Sequence, residues 1–520
     1  MAVAMVTTAV EQTPTIDEPV YVGAAADSLH HHRVRYNPEH PPLGKLIIAT
    51  GVAFARPHLD AGFAGDQTAL GRHVLYEAGN DPWRLMLCAR LPMIALTLLF
   101  GLVVFAFARD LTGPVGGAVA LALYTFSPDV IAHGSLATLD VPAAGFLLTS
   151  VWLLWRARRR PRWHLPLAGV ALGAALATKM SMLAAVPVLL LLAVLSVRYA
   201  RRTRHRAPRD HARSLGIGVA AAVAMALIAV AVVWATYLLV DPRLRWTPTG
   251  PVPAVHGLRG LAVHWLPLPE AYRDGMRIQF GFEQDTWRGF LLGRRYVGSL
   301  WYYLPVALLV KTPLGMLALW SAGAVTMAAV PRLRPAAPYV LVPAAVLLFA
   351  ALDGARNLGV RYAIFLPMFL AVAAAGLMAV RRRWAYGATL ALVLFVAVSS
   401  LRTYPYYLPY SNEAFGGPSR THLRLHDSNV DWGQDLGRLA DRLRDRYRVE
   451  RIWLVYKGSG VPSAYGIRAS DPRRVAPGRV RGLLVVSDSS IAQATGRLAA
   501  LIDGSRPIDE VGHAITIYRR

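Results

Sequence analysis

Hydrophobic residues make up 55 % of this 520-residue chain and charged residues only 17 %, against about 25 % in a soluble globular domain. The formal net charge of +25 does not mark a nucleic-acid binder, because the arginines fall in short clusters between apolar runs instead of on one amphipathic face. A single cysteine, Cys88, excludes an exterior stapled by intrachain disulfides.

In chain order, residues 1–10 are apolar but too short to span a bilayer, and no basic stretch precedes them, so they do not read as a signal peptide. The sequence is expected to begin inside a longer gene. Ten apolar stretches follow, near 85–108, 114–132, 141–155, 165–178, 181–198, 214–240, 299–330, 337–353, 361–380 and 384–400. Each is read as a crossing of about 30 Å of hydrocarbon. The stretch at 299–330 is interrupted by Lys311 and Pro313, which predicts that it begins as a helix lying at the interface. Arginine clusters at 156–162, 198–209 (Arg198, Arg201, Arg202, Arg204, Arg206, Arg209) and 381–383 mark inside loops. That places 1–84, 129–140, the surroundings of Lys179, 241–297, 354–360 and everything after 400 outside. After Ser400 the pattern changes: Leu436, Leu439 and Leu443 stand at helical spacing, and strand-like runs occupy 451–456 and 482–487. The expected organisation is a transmembrane domain over 1–400, with a first outer loop at 17–84, and a small soluble α/β domain over 401–520.

The first outer loop carries the residues best suited to chemistry. Asp17-Glu18-Pro19 and Asn37-Pro38-Glu39-His40-Pro41-Pro42-Leu43 are two acidic sites about twenty residues apart, both close to a membrane surface. A carboxylate there suits a general base for an attacking hydroxyl; the plainer alternative is that Asp17 and Glu18 are solvated and cap the next helix. Only four lysines occur, Lys45, Lys179, Lys311 and Lys457. A lysine inside an apolar segment is costly and hence a functional candidate. Lys311, beside the helix-breaking Thr312-Pro313, is the first choice for a phosphate contact, whereas Lys179 reads as snorkelling to an interface. Arg294, Arg295 and Arg361 lie at outer boundaries, where positive charge is less expected. His30-His31-His32 does not read as a metal site, because consecutive residues rarely converge on one ion. Trp301-Tyr302-Tyr303 reads as an interfacial belt, and Asp427, Asp431 and Asp435 as one solvated helix face.

The Asp17-Glu18-Pro19 start, the Glu39-His40-Pro41-Pro42-Leu43 run, Leu139-Asp140-Val141-Pro142, Trp301 to Leu314, Arg356 to Tyr362, Tyr410-Ser411-Asn412-Glu413 and Asp427 to Asp435 carry a family likeness. Together they resemble the bacterial protein O-mannosyltransferase and aminoarabinose-transferase-like family of C-type membrane glycosyltransferases, which use polyprenyl-phosphate sugars. The resemblance implies Asp17 as catalytic base, with Glu18, Glu39, His40 and Asp140 binding substrates. The expected contacts of the carrier phosphate, from their charge and their place in or beside apolar segments, are Lys311, Arg361, Arg294, Arg295 and Lys45. The aminoarabinose transferases have Lys where this chain has His40. The expected fold is an α-helical polytopic membrane protein of the GT-C type with about ten transmembrane helices and an extracytoplasmic C-terminal α/β domain.

The expected activity is transfer of a hexose, mannose by expectation, from a polyprenyl-phosphate carrier to an acceptor hydroxyl with inversion. The acceptor is a protein, a glycolipid or a wall polymer, and membrane lipids are the other partners. The residues single out no cofactor, and they leave a divalent cation open. The expected location is the plasma membrane, with the active site outside. The rival classes are a secondary transporter or lipid flippase, which would show repeated halves and midspan acids, and a non-catalytic membrane scaffold.

Overall fold

The computed structural model describes residues 1–60, 62–204, 211–448 and 450–520. Arg206 and Arg209, expected in an inside basic loop, lie outside the described residues. All ten apolar stretches are helical, among them Pro82–Thr112, Asp140–Ala157, Pro161–Thr178, His211–Val240 and Arg383–Thr403. The first of these shows local control by sequence. Asp81 caps it by accepting from the amides of Trp83 and Arg84, Pro82 occupies its first turn, and Gly113 at φ 86° ends it.

Among the described residues four helices are long and apolar enough to cross a membrane, or six if each of two bent pairs counts as one span. That is fewer than the ten expected, because several of the apolar stretches form short or broken helices. Ala337–Leu352 has 16 residues, about 24 Å at 1.5 Å per residue and short of a full crossing. Residues 360–379 divide into a 3-10 turn, the helix Phe365–Ala374 and a second 3-10 segment.

The expected break at Lys311 and Pro313 is a bend of 118° between Tyr303–Lys311 and Leu314–Ala329. Proline cannot donate to the ladder, so carbonyls before it lose their partners. Asn412 supplies them: its side-chain amide donates to Leu309 O (2.7 Å) and Thr312 O (2.8 Å), and its backbone N–H donates to Val310 O (2.9 Å).

Glycine sets the closest helix approaches. The helix Pro161–Thr178 meets His211–Val240 along Gly169 and Gly173, a G-x-x-x-G spacing that lets backbones touch. A Cβ at Gly173 would lie 2.6 Å from Val232 Cβ and 2.7 Å from Ala229 O.

The C-terminal part is built on a four-stranded sheet in the order Ile452–Val455, Leu483–Ser487, Ile515–Arg519, Arg506–Val511. The first pair is parallel and the others antiparallel. The inner strand Leu483–Ser487 is apolar from Leu483 to Val486 and buried along its whole length, because both faces are covered. Leu483 and Val485 pack with Leu436, Leu439 and Leu443 of the helix Leu436–Arg446, while Leu484 and Val486 meet Trp453 and Leu501. Asp427, Asp431 and Asp435 do not form a solvated helix face. The helix starts only at Leu436, and all three acids are buried in the turns before it, at 6 %, 1 % and 1 % exposure.

Gly173→Ala is expected to lower stability by about 1–3 kcal/mol, the usual cost of overpacking. Gly216→Ala, whose Cβ would meet nothing within 4 Å, serves as the neutral control, and thermal unfolding in detergent compares the two.

Candidate active site

Two adjacent acids at the head of the helix Glu18–His31 have opposite fates. Asp17 holds the N-cap position, yet its carboxylate makes no cap hydrogen bond. It reaches across to Arg361, with Oδ2 2.6 Å from Nη1. Glu18 points inward and is fully buried against Arg90, which donates from Nε to Oε1 (2.7 Å) and from Nη2 to Oε2 (2.7 Å). The backbone N–H groups of Thr15 (2.9 Å) and Ala137 (2.8 Å) and the Thr15 hydroxyl (3.0 Å) complete its shell. Burial alone would raise the Glu18 pKa, but the Arg90 charge and these hydrogen bonds outweigh it, and the net shift is downward. Neither acid is a solvated cap, and Glu18 is walled off from substrate, so the expected substrate-binding role does not fit its position. It positions Asp17.

The segment with Glu39 is held by Lys45. That lysine is 6 % exposed and donates to Asn37 O (2.7 Å), His40 O (2.8 Å) and, more weakly, Tyr36 O (3.4 Å). Its ammonium is therefore committed to shaping the turn, in which Asn37 adopts φ 56°, and it does not face a carrier phosphate. Glu39 accepts from Gln67 Nε2 (2.7 Å), and its backbone carbonyl accepts from Gln279 (3.0 Å). His40 has its pKa pushed well down, by burial first and then by the Lys179 and Lys45 charges. The ring is therefore neutral at physiological pH and contributes no fixed positive charge to its surroundings.

The segments that carry Asp17 and Glu39 border one cavity of about 1180 Å³. Asp17, Tyr21, Asn37, Glu39, His40, Asp140 and Arg361 line it, so the structure brings together Asp17, Glu39, His40, Asp140 and Arg361 of the expected set. Lys311 does not share it. At 1 % exposure it donates to Leu408 O (2.5 Å) and Asn429 O (2.9 Å) and stands 3.6 Å from Asp129, tying down the end of the broken helix. Arg294 and Arg295 are on an exposed hairpin strand, Arg294–Val297, away from the cavity lining.

Lys179, read from sequence as a snorkelling residue, is the lysine that lines the cavity. It is ion-paired with Asp140 and lies 5.6 Å from the Tyr362 ring centroid. The sequence reading also missed Arg356, Gln279, Asp427 and Lys457. Arg356 lines the cavity and donates to Gln279 Oε1 (2.8 Å). Lys457 pairs with Asp427, whose pKa burial would raise but the Lys457 charge brings down. The rarity of lysine was the available signal: all four are buried or line the cavity. Among the described residues no cluster of three or more His, Cys, Asp or Glu is arranged to hold a metal ion. His31 of the histidine run instead pairs with Asp27 at 2.8 Å.

Removing Arg90 strands a buried carboxylate, so Arg90→Ala is expected to cost about 3–5 kcal/mol. Glu18 with a depressed pKa stabilises the fold above its ordinary value of 4.5, and that contribution is lost as pH falls through the lower folded value. Glu18→Gln should therefore show a shallower loss of melting temperature on acidification than the parent protein.

Residues 20–241 match the family model described as dolichyl-phosphate-mannose-protein mannosyltransferase. Among solved structures the chain is similar to ArnT from Cupriavidus metallidurans in the apo state. The TM-score is 0.51 with 15 % sequence identity, over 99 % of this chain and 96 % of that one. The same protein bound to undecaprenyl phosphate gives a TM-score of 0.49 with 14 % identity over the same shares. The apo oligosaccharyltransferase of Archaeoglobus fulgidus gives 0.45 with 12 % identity, over 97 % and 72 %. No curated protein matches the sequence. The resemblance read from the motifs, and the glycosyltransferase class it implies, are borne out by the family match.

Proposed function

We propose that this glycosyltransferase moves a single hexose, mannose, from a polyprenyl-phosphate carrier to an acceptor hydroxyl, with inversion, on the extracytoplasmic side of the plasma membrane. The description of the family model matched over residues 20–241, dolichyl-phosphate-mannose-protein mannosyltransferase, supports a polyprenyl-phosphate donor and mannose as the sugar in this reading. The observation that carries the reading is the provenance of the cavity. Its polar wall is drawn from the segments at 17–40, 241–297 and 353–362, from Asp140 and Lys179, and from loops beyond 426. Those are the segments read as outside, or at the outer boundary, from the arginine clusters, and among the described residues no arginine of those clusters lines the cavity.

In this reading Asp17 takes the proton of the acceptor hydroxyl as that oxygen attacks the anomeric carbon. Its Oδ2 is held by Arg361, and Oδ1 has no protein partner among the described residues, so one oxygen stays available to the acceptor. The bond from the anomeric carbon to the carrier phosphate breaks in the same step, and the leaving phosphate gains a negative charge. Fixed cations at the point where that charge develops lower the barrier. Arg361, Lys179 and Arg356 line the cavity and replace Lys311 in this role. A phosphate competing for the Arg361 guanidinium also loosens its hold on Asp17, which couples donor binding to release of the base. Glu39 and Asp140 orient the two substrates. One displacement without a covalent intermediate gives inversion.

Asp17→Asn is expected to lower kcat by about 10²–10⁴-fold, the usual contribution of a general base, while binding of the carrier persists. Purified protein given labelled polyprenyl-phosphate mannose and membrane extract reports the acceptor by which fraction gains label. A folded protein that labels nothing with any polyprenyl-phosphate hexose rules the reading out. Unchanged behaviour of Asp17→Asn would instead favour a transporter or a scaffold.

A further inference from the structure

One wall of the cavity takes no part in the chemistry above, and it is unusually polar. His426, Asp427, Lys457 and Gln493 line it together with Trp287. They come from separate segments: the turn before Asp427–Asn429, the loop after the strand Ile452–Val455, and the residue after the short helix Asp488–Ala492. His426 is 2 % exposed, and its Nδ1 is buried with no hydrogen-bond partner among the described residues. The side-chain amide nitrogen of Gln493 is in the same condition. Trp287 is fixed by a hydrogen bond from Nε1 to Phe282 O at 2.9 Å.

Buried polar atoms are almost always satisfied, and leaving one unpaired is costly. Two such atoms in residues of one cavity wall therefore point to a ligand that supplies their partners. The chemistry of the wall narrows its class. A neutral imidazole, an amide, a carboxylate and an ammonium together offer donors and acceptors, which suits hydroxyl groups, since each can both donate and accept. A phosphate accepts only and would be repelled by Asp427, and a prenyl chain would leave the wall unsatisfied. Burial pushes the His426 pKa down to about 4, which keeps its ring neutral at physiological pH. Asp427 also feels the charge of Arg361, the partner of Asp17. The wall thus begins next to the proposed phosphate and base positions, where a carrier-linked sugar would lie.

We propose that His426 and Gln493, beside the Asp427–Lys457 pair, form the subsite that reads the hydroxyl groups of the donor's sugar ring. This rests on the transferase reading and assigns its sugar selectivity to the loops around the C-terminal sheet.

The test compares two probes on the full-length protein, bare polyprenyl phosphate and polyprenyl-phosphate mannose. The parent protein is expected to bind the mannosylated carrier more tightly than the bare one. In Gln493→Ala and His426→Ala the Kd for the mannosylated carrier should rise about tenfold, in keeping with loss of a hydrogen bond, while that for the bare carrier stays unchanged. Gln493 is only partly buried, so its variant keeps the test valid if His426→Ala fails to fold. Equal loss for both carriers, or no change for either, overturns the subsite and leaves the transferase reading standing. Equal binding of the two carriers by the parent protein does the same. A parent protein that binds neither carrier removes the transferase reading and the subsite with it.

Discussion

The site depends on one buried ion pair. Arg90 enters the interior from the long helix Pro82–Thr112 and is wholly inaccessible to solvent, a position tolerable only if every part of its guanidinium is paired. Glu18 takes two of its N–H groups. Ala9 O, Gln12 O and Thr13 O accept the rest, at 2.8, 2.7 and 3.1 Å. Through Glu18 the same pair reaches the N–H of Ala137, three residues before Asp140. One interaction therefore fixes the end of the helix Ala2–Glu11, the start of the helix behind Asp17, and the turn that delivers Asp140. Breaking it would leave the two cavity acids without a common frame.

A second rule holds for three of the acids that line the cavity: each comes with a cation. Asp17 has Arg361, Asp140 has Lys179, and Asp427 has Lys457. Side chains this buried would be prohibitive as isolated charges. Paired, they form a polar surface that an anionic, hydroxyl-rich substrate can enter by exchanging partners instead of by desolvating bare charge. Aromatic rings sharpen the arrangement, since Arg361 also lies 4.4 Å from the Trp432 centroid and 5.2 Å from that of Tyr362. Lys45 and Lys311 obey the same rule with backbone carbonyls as their main partners, which is why they shape the site from behind.

Local pattern was enough for the secondary structure. Long apolar runs became helices, the break at Pro313 became a bend, and the runs 451–456 and 482–487 became the strands Ile452–Val455 and Leu483–Ser487. These features depend on periodicity and on proline's missing donor, both visible within a short window. The spacing of Asp427, Asp431 and Asp435 shows where a window fails. A period of four suits a helix, yet the chain turns through 3-10 geometry there and buries all three acids.

The sequence by itself therefore determined the helix-rich, apolar character of the chain and singled out Asp17, Glu39, Asp140 and Arg361, which the fold brings to one cavity. Composition and the order of motifs act along the chain and need no folding to be read. Only the tertiary structure decided which of two neighbouring acids faces the cavity, and which of four lysines line it. Asp17 and Glu18 differ by one step on a helix, about 100° of rotation, and that step separates an open cavity from a buried arginine. Lys179 and Lys311 both end apolar helices, and what distinguishes them is the partner brought alongside, Asp140 for one and the carbonyls of Leu408 and Asn429 for the other. Those partners lie 39, 97 and 118 residues away along the chain, a distance that only packing closes.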